Sequence, residues 1–105
     1  MPTYLLTYDL KWAADTPHDE FRNVAAAFGW FAWMLGDDQE WYQLPSTTLA
    51  GEFVSQEAAE AVFFAARDAA AATTGKTIVF EKWVIVAYST ARFTSNHVRP
   101  SVSSR

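Results

Sequence analysis

Residues 3–9, TYLLTYD, alternate imperfectly between apolar and polar and are rich in Tyr, Leu and Thr, which predicts a mostly buried strand ending at Asp9. Helical spacing follows in Phe21, Val24, Ala25 and Phe28. Thr16 suits an N-cap, Pro17 the first helical position and Asp19 the positive end of the dipole, while Gly29 is a natural stop, so the first helix is expected over 17–28. The aromatic run WFAWML (30–35) reads as a second strand and the acidic GDDQE (36–40) as a turn. WYQLP (41–45) reads as an irregular extension that Pro45 keeps out of a sheet centre. TTLAGEFV (47–54) reads as a third strand with Gly51 as a possible bulge. The strands 30–35 and 47–54 are expected to pair as a hairpin across a long, Trp-bearing loop.

Ser55 caps an Ala-rich second helix over 56–73, whose apolar line is Ala58, Val62, Ala65 and Ala69, widened by Phe63 and Phe64, with Gly75 as its end. TIVFEKWVIVAY (77–88) is the strongest strand signal, and its length invites a bulge near Glu81–Lys82 or a division into two strands. The order strand–helix–strand–strand–helix–strand is the α+β, ferredoxin-like βαββαβ plan: a four-stranded antiparallel sheet with two helices on one face. One domain is expected over 1–90, followed by a flexible tail over 91–105. The bare sheet face would be covered by a second copy, giving a homodimer.

Composition refines this picture. Five Trp and eight Phe in 105 residues exceed the needs of one small core, so some are expected at a subunit interface. The absence of Cys excludes disulfides and thiolate–metal sites and makes a reducing cytoplasm the simplest location. No basic leader and no apolar run of about 20 residues is present, so neither secretion nor membrane insertion is expected. Residues 1–90 carry five basic and twelve acidic side chains, whereas 91–105 carry Arg92, Arg99 and Arg105 and no acid. An acidic body opposes non-specific nucleic-acid binding, so any such role must use a local patch, a metal ion or the basic tail.

TYLLTYDL, a first strand ending in Tyr-Asp on a short chain, resembles the ferredoxin-like endoribonuclease family of the GhoS antitoxin and the small CRISPR-associated endonucleases of spacer acquisition. Phe21-Arg22 in the first helix and QLPSTTLAGEFVSQEAAEAV (43–62) extend the likeness in order and rough spacing. The resemblance implies a cytoplasmic, dimeric, metal-dependent endoribonuclease or toxin–antitoxin component that acts on single-stranded RNA. It makes Asp9 the catalytic and metal-binding position, two copies holding one Mg²⁺ or Mn²⁺ between them, with Arg22 on phosphate oxygens. The scarcity of Lys and Arg and the Trp-rich segment 30–42 depart from the family pattern.

The residues also admit plainer roles. Asp9 is equally a strand-end acid in water, and Arg22 an i,i+3 partner of Asp19. His18 has the pKa range of a general base but falls in an exposed first helical turn, and His97 lies in the tail. Asp37, Asp38 and Glu40 lack Ca²⁺-loop spacing and read as a solvated turn; Ser46, Thr47 and Thr48 lack a nucleophile pattern. Trp30, Trp33, Trp41 and Tyr42 fit three roles: a dimer core, an anchor for a protein partner, or a stacking platform for bases. Beside the nuclease stands a second reading, a non-catalytic acidic and aromatic module that docks on a basic protein partner. A dimeric α+β barrel oxygenase shares the size and strand order but finds no catalytic His or Asn within a strand.

Overall fold

Alternation along the first strand decides the architecture. In the computed structural model, which describes residues 1–11 and 17–100, β1 (Thr3–Leu10) buries Tyr4, Leu6, Tyr8 and Leu10 and leaves Thr7 and Asp9 exposed. It pairs antiparallel on one side with β4 (Thr48–Glu52) and on the other with β5 (Phe80–Tyr88), giving a sheet of order β4-β1-β5. The buried row meets both helices, α1 (His18–Ala27) through Phe21 and Ala25, and α2 (Gln56–Thr74) through Ala59, Phe63, Ala66 and Ala70. Among the described residues the opposite face of the sheet carries no helix.

The predicted helix starts and stops are largely in place. Ser55 caps α2 by accepting the Ala58 amide at 3.0 Å, and Gly75 closes it in the left-handed region at φ 69°. Pro17 directly precedes α1, and the expected cap at Thr16 lies outside the described residues. The buried line of α2 is one residue off the expected one: Ala59, Phe63, Ala66 and Ala70 replace Ala58, Val62, Ala65 and Ala69. In so uniform a helix the bulkiest side chain sets the rotation. Phe63 is fully buried and stacks on Phe80 with centroids 4.1 Å apart.

The bulge expected near Glu81–Lys82 is present. Asp9 faces Lys82 and Leu10 faces Phe80, leaving Glu81 as the extra residue. It brings Phe80 and Trp83 to the same side, where both pack on Phe63 and Phe64.

The hairpin expected between 30–35 and 47–54 is corrected. It is reduced to one bridge, in which Phe31 and Ala50 exchange two hydrogen bonds of 2.8 Å. The following residues instead fold back on themselves: β2 (Trp33–Leu35) pairs with β3 (Glu40–Gln43) around a turn at 36–39. β6 (Val98–Pro100) then joins β3, giving a second three-stranded antiparallel sheet of order β2-β3-β6. The segment expected to be a loop is thus an ordered hairpin, because its turn is local and closes cheaply. The Gly36 amide donates to Glu40 O at 2.8 Å, and Gln39 takes the left-handed position at φ 66°. Asp38 accepts the Glu40 amide at 3.1 Å and the Tyr42 hydroxyl, so the acidic run is turn chemistry. Those bonds hold the Asp38 carboxyl below its usual range, first through Tyr42, and raise the Tyr42 phenol.

Two further expectations change. Gly51 is no bulge: it stands in regular register opposite Tyr4. It is small because a Cβ there would lie 2.4 Å from the Gly29 carbonyl oxygen. Trp30 belongs to the chain's own core, fully buried, with its indole N–H donating to Ala59 O at 3.3 Å.

A candidate nucleic-acid groove

The second sheet is a two-sided partition. Its pairings place Trp33 beside Gln43 and Trp41 beside Arg99, so Trp33, Trp41, Gln43 and Arg99 share one face, and Met34, Tyr42 and Val98 share the other. The first face looks across to α1. There Asp19, Arg22, Asn23 and Ala26, at helical spacing, form the wall of a cleft of about 790 Å³ whose other wall is Phe31, Trp33, Gln43 and Arg99. Arg22 and Gln43 also line the adjoining cleft of about 680 Å³, which continues past Ser46 to Ser95, Asn96 and His97. Together they form one groove rich in hydrogen-bond donors.

Its electrostatics oppose those of the chain as a whole. Arg22 and Arg99 make no ion pair with any described residue; the predicted pairing of Arg22 with Asp19 does not form, although both line the cleft. The Arg99 guanidinium lies 3.9 Å from the centre of the half-buried Trp33 ring. His97, at the far end, is exposed, and its carbonyl accepts the Gln43 amide at 3.0 Å, which ties the tail to β3. Tyr8, within reach of the Arg22 charge, is buried among Phe21, Phe63 and Phe80. Burial pushes its phenol up to about 12, and the nearby charge of Arg22 pulls weakly the other way.

Asp9 stands elsewhere. It is exposed beside the β5 bulge on the helix-free face, opposite Lys82, and lines neither cleft that Arg22 lines. Among the described residues no group of three potential metal ligands assembles. Asp9 belongs to no such group among the described residues, and the residue facing it across the sheet is a lysine. A shared Mg²⁺ or Mn²⁺ would require carboxylates from a second copy. His18 is exposed at the start of α1, outside the groove, and Thr47 adopts a left-handed backbone at φ 59° with its hydroxyl turned onto Ser46 O at 2.6 Å.

Arg99 was not singled out as a site residue from the sequence, and neither were Asn23 and Gln43. The uneven charge of the tail was the one signal available, and only the return of β6 to β3 gives it a location. Among the described residues no helix is long and apolar enough to cross a membrane. Comparison with protein-family models, with curated proteins and with solved structures gives no match to this chain.

Proposed function

We propose that this protein binds single-stranded RNA in the groove between α1 and the Trp33–Arg99 face of the second sheet. The observation that carries the reading is the convergence of two guanidiniums, Arg22 and Arg99, with no ion-pair partner among the described residues, on one cleft of an otherwise acidic chain. Phosphate oxygens would meet the two guanidinium forks, with Asn23 and Gln43 as further donors. Trp33 and Phe31 supply ring surface on which an unpaired base can stack, which a rigid duplex would not present. Affinity would be modest and salt-dependent. Two phosphate contacts give a slope of roughly −1.4 in log K against log salt, at about −0.7 per contact for single strands.

The ferredoxin-like plan belongs to the same reading. We read the order β5, β1, β4 and then the Phe31 bridge as a split βαβ sheet whose outer strand is cut to a single pairing. Val84 and Val86, exposed on the helix-free face, are the surface a second copy would bury in the expected homodimer. Cleavage would rest on two Asp9 carboxylates meeting across that dimer. The test is a titration of a fluorescein-labelled oligouridine followed by anisotropy at several salt concentrations. Saturable binding with a slope between about −1 and −2 supports the reading; binding absent at low salt, or unchanged by salt, ends it.

A further inference from the structure

The other face of the second sheet borders a different kind of space. Met34 and Leu44 look onto the helix-free face of the first sheet, where Leu5, Thr7 and Tyr88 stand. Residues 90–94 close the remaining side and contribute Arg92 and Phe93. The result is a cleft of about 480 Å³ with mainly apolar walls, within the range of small-molecule sites. One wall is held from outside: Phe93 packs edge-on against Tyr42 with centroids 5.5 Å apart, and Tyr42 is in turn fixed by Asp38. Charge is present on one side only. Arg92 lines the cleft and makes no ion pair with any described residue, and none of the cleft's lining residues is acidic.

We infer that this cleft binds a small amphipathic acid, with its apolar or aromatic body between Leu5, Met34, Leu44 and Phe93 and its anionic group at Arg92. The apolar walls supply affinity without direction. The single cation supplies orientation and selects an anion over a neutral molecule of the same shape. Thr7 and Thr48, on the floor, offer hydroxyls to a second polar atom. The inference does not depend on RNA binding, because Arg22 and Arg99 line a different cleft on the opposite face of the hairpin sheet.

The probe is anilinonaphthalene sulfonate, an aromatic anion, compared with the neutral N-phenyl-1-naphthylamine, both followed by fluorescence on the full chain. The inference expects saturable one-to-one binding of the anion. Arg92→Gln should weaken it at least fivefold while leaving the neutral probe unchanged. Thr7→Trp, which fills the floor from an exposed position, should abolish both, and Arg22→Gln should affect neither. Near-UV circular dichroism checks that each variant keeps its packing. Four results overturn the inference: no saturation, full binding after Thr7→Trp, equal loss of both probes in Arg92→Gln, or binding seen only when a sedimenting dimer is diluted apart. The last would make a second copy the true occupant.

Discussion

The two faces of the hairpin sheet differ by one residue of register and by almost everything else. On the α1 side, Trp33, Gln43 and Arg99 open onto a groove of donors and guanidiniums. On the other side, Met34 opens onto mainly apolar walls with one arginine at the edge, and Tyr42 braces the Phe93 wall from outside. Period-two alternation is enough to place both chemistries on one thin sheet. The lesson is that a short ribbon, supported by a separate helix-covered core, can offer two recognition surfaces without burying a charge.

That comparison depends first on the ribbon's position. Gly51→Ala should have the largest effect, a loss of about 3 kcal/mol, at the upper end of overpacking costs, because the new methyl meets the Gly29 carbonyl oxygen at 2.4 Å. Urea unfolding measures the loss. A shift in the adjacent Phe31–Ala50 bridge should weaken ligands in both clefts together.

Alkaline pH separates the core from the two surfaces. The Tyr8 phenol is raised to about 12 in the folded chain. Its contribution is fully present below the ordinary value near 10 and is lost as pH rises through 12, about 3 kcal/mol in all. Unfolding midpoints at pH 9, 10 and 11 should fall, and Tyr8→Phe should flatten the decline. Tyr88 and Tyr42, whose phenols are also raised in the folded chain, act in the same direction.

Arg22→Gln and Arg99→Gln sharpen the contrast between faces. Each should weaken RNA about tenfold, or about 1.4 kcal/mol, and leave the apolar cleft unaffected. The smallest effect is at the hairpin turn, where Gln39 holds φ 66°. Gln39→Gly should stabilise the chain by up to about 1 kcal/mol in thermal unfolding, because glycine takes that conformation without strain.

What was legible in the sequence follows from where periodicity is strong. β1, the limits of α2, and β5 with its bulge at Glu81 could be read because burial on one face imposes alternation and caps impose Ser55 and Gly75. The pairing of 30–35 could not. That segment has two possible partners, β4 and the residues after the turn, and both suit its apolar pattern. Local closure wins all but one bridge. β6, at three residues with an arginine in its centre, carries no strand pattern, and its pairing to β3 comes from tertiary context. The same failure hid the candidate site: the resemblance drew attention to Arg22 as an expected phosphate contact, but the residue facing it across the cleft is far away in the chain. Asp9 was legible as a strand-end acid, and the structure places it on the opposite side of the first sheet from the helix that carries Arg22.

The most direct test of the central claim is anisotropy of labelled single-stranded RNA with the Arg22→Gln, Arg99→Gln double variant beside the parent chain. The account predicts saturable binding by the parent and a loss of about a hundredfold in the double variant, the sum of two tenfold steps in free energy, with an unchanged urea midpoint. Equal affinity of the two proteins for RNA, or no binding by the parent at low salt, would contradict it.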